Sequence, residues 1–298
     1  MLIGAILRAI RPQQWVKNIF VLAALVFAAG ESNGLPWDRL VATLLAVGAF
    51  CLGSSTIYLI NDICDIESDR KHPEKCKRPI AAGEITVTTA LVVAAVCLVG
   101  ALALALSVGG EPFPLVIVVG GYIALNFLYS WRLKHIVLVD AFCIATGFLL
   151  RVQGGALAVG VPVSNWLFLC TLFLALFLAL CKRRAEVDLL GDDAGSHRAI
   201  LREYNLGFLD QMVTLLAACT IVSYTMYTID AEATAKFSHG ELLFWTVPFV
   251  VFGLGRYLLL VQTQQGGGSP TRVLLGGDLM FALNGAGWLA VVLVALFT

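Results

Sequence analysis

Charge is what this chain has least of. Asp, Glu, Lys and Arg make up 13% of its 298 residues, against about a quarter in an ordinary soluble domain. With 59% hydrophobic residues and a mean hydropathy of +0.87, that scarcity argues against a soluble globular protein. The formal net charge is zero, so no broad positive field exists to draw in nucleic acid. The eight cysteines form no C-x-x-C pair, and most lie inside apolar stretches. There a thiol behaves as a small hydrophobe, so neither a disulfide framework nor a zinc site is expected. The four histidines are scattered, with no H-E-x-x-H. Arg8, Arg11 and Lys17 interrupt the first apolar residues, and no cleavage site follows them, so a secretory leader is not expected. No internal repeat is visible, and no linker is long enough to separate two modules. A single domain over 1–298 is the expectation.

Apolar runs near 20 residues long recur along the chain, which is the pattern of a polytopic helical membrane protein. Nine spans are predicted, at about 15–30, 39–60, 87–108, 113–130, 137–157, 164–181, 208–229, 242–262 and 276–297. Pro248 is expected to kink the eighth, where neighbouring helices can satisfy the freed carbonyl. With the N-terminus on one side, sixteen of the twenty Lys and Arg fall on that side, while the opposite side has only Arg39 and Lys236. The positive-inside rule makes the rich side cytoplasmic. The Gly- and Ser-rich stretch from Gln262 to Arg272 reads as a flexible linker without chemistry.

The few charges concentrate in Asn61–Gly83, N-D-I-C-D-I-E-S-D-R-K-H-P-E-K-C-K-R-P-I-A-A-G. Asp62, Asp65 and Asp69 are spaced i, i+3, i+7, so on a helix they share one face. Three carboxylates together repel each other unless a cation sits among them. Oxygen-only donors suit Mg²⁺, which binds a few carboxylates plus substrate phosphates. The basic run beyond, with Arg70, Lys77 and Arg78, would meet those phosphates. The bland alternative is a solvated loop whose charges only set topology.

Four further features stand out. In Arg11-Pro-Gln-Gln-Trp-Val-Lys17-Asn18, Lys17 either snorkels to the interface or points with Asn18 toward an anion. In Tyr129-Ser-Trp-Arg-Leu-Lys134-His, followed by Asp140, the charges sit at the ends of apolar helices. Asp140 either pairs structurally with Lys134 or is functional. Arg151, inside the fifth span, either binds a phosphate or neutralises Asp140. Finally, Lys182-Arg183-Arg184-Ala-Glu186 contains an i, i+4 pair, Lys182 and Glu186. The polar stretch from there to Asn205 is long for an idle loop and is expected to cap a cytoplasmic opening.

These residues carry a resemblance. Asn61-Asp62-x-x-Asp65-x-x-x-Asp69 with Lys77-Arg78-Pro79-Ile80-Ala81-Ala82-Gly83 resembles the first signature of the UbiA superfamily of intramembrane prenyltransferases. Tyr129-Ser130-x-x-Leu133-Lys134-x-x-x-x-x-Asp140 resembles the second. Most members carry D-x-x-x-D after the sixth span, where this chain reads Lys182-Arg-Arg-Ala-Glu186. That departure, with the R-P-Q-Q-W-V-K-N opening and Leu150-Arg151-x-x-Gly154-Gly155, is similar to the decaprenyl-phosphate phosphoribosyltransferase branch. The resemblance implies an all-α membrane protein, a UbiA-like bundle of nine transmembrane helices with a cytoplasm-facing polar site in a bacterial plasma membrane. It implies transfer of 5-phosphoribose from PRPP to a polyprenyl phosphate, with Mg²⁺ held by Asn61, Asp62, Asp65 and Asp69. Lys134 and Asp140 would be catalytic with the aspartates. Lys17, Asn18, Asn61, Arg70, Lys77, Arg78, Tyr129, Arg151, Lys182, Arg183, Arg184 and Glu186 would bind substrate. Extra fixed cations suit PRPP, which brings a 5-phosphate besides its diphosphate, to an acceptor that brings another phosphate. A prenyltransferase acting on an aromatic acceptor and a membrane transporter remain as rival readings. The sequence leaves oligomeric state, including a homo-oligomer, open.

Overall fold

The computed structural model describes residues 2–25, 37–108, 114–190, 199–235, 237–263 and 278–297. Among them no strand occurs. The main helices are α1 (Leu2–Ala9), a 3-10 helix (Pro12–Leu22), α2 (Trp37–Cys64), α3 (Ile66–Lys71), α4 (Val87–Val108), α5 (Leu115–Trp131), α6 (Val139–Val159), α7 (Asn165–Leu190), α8 (Leu206–Ile229), α9 (Val247–Thr263) and α10 (Leu279–Phe297). Among the described residues, seven helices are long and apolar enough to cross a membrane, with α9 extended by the 3-10 turn Gly240–Thr246; α5 is apolar but shorter.

Three expectations change. The first expected span, 15–30, begins as the 3-10 helix, and residues 26–30 lie outside the described residues. Arg11 adopts a left-handed conformation ahead of Pro12, and the Trp15 indole N–H donates to Ser55 Oγ at 3.1 Å, which ties this segment to α2. Pro248 does not interrupt a helix. It sits in the first turn of α9, where its missing N–H leaves no bond unmade. The sixth span does not end at Cys181: α7 continues to Leu190, and Lys182–Glu186 and Arg184–Asp188 pairs at i, i+4 line its polar end. Of the segment expected to cap an opening, 191–198 lies outside the described residues, as do 264–272 of the Gly-rich linker, Lys236 and Arg272.

The chain divides into two compact units. The first holds α1, the 3-10 helix, α2 to α5 and α6 from Leu150 onward; the second holds α6 up to Leu149 and α7 to α10. In the first unit, α4 buries Ala90, Ala94, Cys97, Ala101 and Ala105 and exposes Leu91, Val92, Val96, Val99 and Leu106. This is the reverse of a soluble helix, and it is what a bilayer asks for. Lipid solvates the large apolar side chains, while small residues let backbones approach. Hydroxyls buried in α2 bond back to their own helix, Ser54 to the Cys51 carbonyl at 2.9 Å and Thr56 to that of Leu52 at 3.1 Å. In the second unit, α7, α8 and α9 enclose a core that includes Phe177, Leu180, Leu209, Val213 and Tyr257.

Gly154 and Gly155 let α6 come close to its neighbours. A Cβ on Gly154 would overlap the Phe50 ring, and one on Gly155 would overlap the Val21 carbonyl oxygen. A backbone atom cannot step aside as a flexible side chain can. Gly155→Ala is therefore expected to destabilise by about 1–3 kcal/mol, the usual range for overpacking. A fall in the thermal unfolding midpoint in detergent checks it; an unchanged midpoint would show that Val21 can move.

Candidate active site

The first unit carries the acidic signature at the end of α2. The expected single helix through Asp69 breaks at Asp65, where α2 stops and α3 begins. The break still leaves two of the three carboxylates converging. Asp62, 2% exposed, and Asp69, 1% exposed, both reach Arg78, whose Nη1 lies 3.0 Å from Asp62 Oδ1 and 2.6 Å from Asp69 Oδ2. Asp65 and Asn61 are half-buried beside them.

The local sequence explains how Arg78 gets there. Ile80 is buried among Leu59, Ile85 and Ala90, and the chain then folds back with Ala82 N–H donating to the Arg78 carbonyl at 2.8 Å. Gly83, with φ of 75°, ends the turn in a conformation that glycine adopts freely. The Arg-Pro-Ile-x-x-Gly spacing is thus a turn that aims one guanidinium inward. Arg70 and Lys77 are exposed, and Arg70 instead donates to the Ala81 carbonyl at 3.3 Å.

A second guanidinium arrives from a residue that the sequence reading did not select. Arg11 pairs with Asp62 Oδ1, and its guanidinium stands 5.0 Å from the centre of the Tyr58 ring. The Arg-Pro dipeptide opening the 3-10 helix was the available signal. Further along, Arg151 donates from Nε to Asn18 Oδ1 at 2.7 Å and from Nη2 to Tyr122 Oη at 2.8 Å. Asn18 Nδ2 lies 3.1 Å from Cys51 Sγ. Arg151 is 6% exposed and Asn18 1%. Within its own unit, Arg151 thus has two neutral polar partners, Asn18 and Tyr122. Lys17 and Tyr129 are half-buried.

Among the described residues, no three or more His, Cys, Asp or Glu side chains are placed to hold a metal. The residues present nevertheless fit Mg²⁺. Mg²⁺ commonly takes one or two carboxylates and fills its octahedron with water and substrate phosphate oxygens. Asp62 and Asp69 supply only hard oxygen donors, and the buried Asp62 Oδ2 has no hydrogen-bond partner.

The second unit holds the other signature. Asp140 is fully buried, and its partner is not Lys134. Arg183 Nε donates to Oδ2 at 2.7 Å, and the Tyr204 hydroxyl donates to Oδ1 at 3.0 Å. Arg183, 1% exposed, also pairs with Glu186. Arg184 donates to Asp210 at 2.7 Å. Lys182, 3.8 Å from Glu186, is more exposed, and Lys134 is half-buried in a 3-10 turn. All three cations of the Lys182-Arg183-Arg184 run thus meet carboxylates of their own unit, Lys182 the most loosely. The sequence could not pair Asp140 with Arg183 because 43 positions separate them.

With this geometry in hand, comparison with known proteins is specific. Residues 18–268 match the UbiA prenyltransferase family. Decaprenyl-phosphate phosphoribosyltransferase from Corynebacterium glutamicum is 34% identical over 99% of this chain and 88% of its own length. The Mycobacterium tuberculosis protein of the same name is 34% identical over 98% and 94%. A solved UbiA homolog from Archaeoglobus fulgidus, bound to DMAPP and Mg²⁺, superposes with a TM-score of 0.68 at 20% identity, covering 97% of this chain and 99% of its own. The two signatures, the apolar helices and the whole-chain similarity agree, and the chain belongs to the UbiA prenyltransferase family of multi-pass membrane proteins.

Proposed function

We propose that this protein transfers 5-phosphoribose from PRPP to a polyprenyl phosphate of the decaprenyl type and releases diphosphate. The observation that carries the reading is the similarity over nearly the full chain to relatives named for that reaction. The Lys182-Arg-Arg-Ala-Glu186 stretch, in place of a second acidic pair, supports it.

Asp62 and Asp69 would hold Mg²⁺, with Asp65 and Asn61 assisting. When bound, the metal neutralises charge on the donor diphosphate and makes it a better leaving group. Arg78 and Arg11, which rest on the carboxylates, carry the charge that a diphosphate needs. A guanidinium suits such an oxyanion because its N–H groups match it two at a time. The bond from ribose C1 to the diphosphate oxygen breaks, and the electron pair leaves with diphosphate. A lipid phosphate oxygen forms the new bond to C1 from the opposite face. That oxygen is already ionised, so no general base is required, in keeping with the scattered histidines. Lys134 is assigned to leaving-group charge, Lys17 and Arg151 to substrate anions and Lys182 to the 5-phosphate. The N-terminus and the acidic signature are assigned to the cytoplasmic face of a bacterial plasma membrane, where PRPP and Mg²⁺ are available.

The test is a product assay with purified protein in detergent, Mg²⁺, labelled PRPP and a polyprenyl phosphate. A lipid-soluble, acid-labile labelled product that is lost with EDTA and regained with excess Mg²⁺ is expected. Inert PRPP, with turnover of a prenyl diphosphate and an aromatic acceptor instead, would replace this reading with ordinary prenyl transfer.

A further inference from the structure

Tyr204 lies outside both signatures, yet it bonds to two points of the second one. It is 4% exposed and sits just before α8. Its position is set from behind. Asn205 caps α8 by accepting from the Phe208 N–H at 2.7 Å, and the Tyr204 and Phe208 rings stack with centroids 6.3 Å apart. The hydroxyl accepts from the Leu138 N–H at 2.8 Å and donates to Asp140 Oδ1 at 3.0 Å. Burial pushes the phenol up to about 12, so it stays protonated and remains a donor at any ordinary pH.

Leu138 is the reason a tie is needed there. Its φ is 65°, in the left-handed region that a bulky side chain normally avoids. Through that residue the chain turns from the 3-10 helix Leu133–His135, which carries Lys134, into α6, which carries Asp140. The turn is closed on the other side by His135 N–H to the Arg132 carbonyl at 3.1 Å and Ile136 N–H to that of Leu133 at 3.2 Å. A strained conformation persists only where its surroundings hold it.

We propose that Tyr204 is a positioning residue. Through the Leu138 amide and the Asp140 carboxylate it holds the left-handed turn that sets the place of Lys134. The kinetic part of this proposal rests on the transfer reading above; the structural part does not.

The experiment uses the full chain in detergent. Tyr204→Phe removes the hydroxyl and keeps the ring. Amide exchange across residues 133–140 should quicken about tenfold while exchange in α4 stays unchanged, and kcat/KM for PRPP should fall about tenfold. Adding Leu138→Gly, which removes the strain at φ of 65°, should restore kcat/KM to within about threefold of the parent protein. In a Lys134→Ala background, Tyr204→Phe should cost less than about twofold, because the group it positions is gone. Unchanged exchange across 133–140 would overturn the tie. A full tenfold loss persisting without Lys134 would overturn the positioning role and leave only stability. If the parent protein transfers nothing from PRPP, the transfer reading falls, and the exchange result still judges the tie.

Discussion

Asp62→Asn should reduce phosphoribosyl transfer by on the order of a thousandfold while the protein still inserts and elutes as a folded species, because the substitution removes the carboxylate proposed to hold Mg²⁺ and keeps the shape. The carboxylate is buried at the end of α2, takes Arg11 and Arg78 on Oδ1, and leaves Oδ2 without a partner. Burying a carboxylate oxygen unpaired is unfavourable unless a cation or water meets it. Asn keeps the size and an acceptor but cannot neutralise a divalent ion. Two measurements separate the roles of Asp62. Titration with Mn²⁺, followed by its spin-resonance signal, should show weaker metal binding in Asp62→Asn. Thermal unfolding without metal should change little, since Arg78 keeps its 2.6 Å contact to Asp69. Normal Mn²⁺ affinity with normal transfer would remove Asp62 from the metal site and leave it as the anchor of two arginines.

What the sequence revealed of this site follows from the range of each interaction. Spacing along one helix is local, so the i, i+7 relation of Asp62 and Asp69 could be read, and both side chains do meet at Arg78. The break at Asp65 could not, because no Gly or Pro marks it. Apolar runs located helices α2 and α4 to within a few residues. They failed at Pro12–Leu22, a stretch with Gln, Lys and Asn among its apolar residues, which winds as a 3-10 helix and is tied to α2 by the Trp15–Ser55 bond. They also ended α7 too early. Hydropathy falls at Lys182, but the helix does not need apolar residues to continue when its charges pair at i, i+4. Contacts between distant segments were beyond reach: Arg11 with Asp62, Arg151 with Asn18, Arg183 with Asp140, and Tyr204 with Leu138. A motif marks which residues are charged. It does not say which of them face each other and which remain for a ligand.

That distinction bears most on Asp140 and Arg183. Asp140→Leu should lower stability by about 3–5 kcal/mol, because it takes the Asp140 carboxylate from the buried Arg183 guanidinium and leaves it with Glu186 alone. Arg183→Met should do the same from the other side. Their exposures, 0% and 1%, leave no water to screen either charge. The double variant Asp140→Leu with Arg183→Met should regain most of the loss, since a buried pair is often replaced by apolar residues at little net change in stability. Thermal unfolding in detergent for the four proteins gives the coupling directly, as a double-mutant cycle. Transfer should stay low in the double variant even as stability returns. The pair orients groups on either side of it: Asp140 takes the Tyr204 hydroxyl at 3.0 Å, and Arg183 takes Glu186, the partner of Lys182. Apolar replacements fill the space but hold neither. If the double variant recovers both stability and transfer, the pair is packing alone. If it recovers neither, the ion pair is itself a net source of stability, and the buried charges are kept because they hold the second unit together.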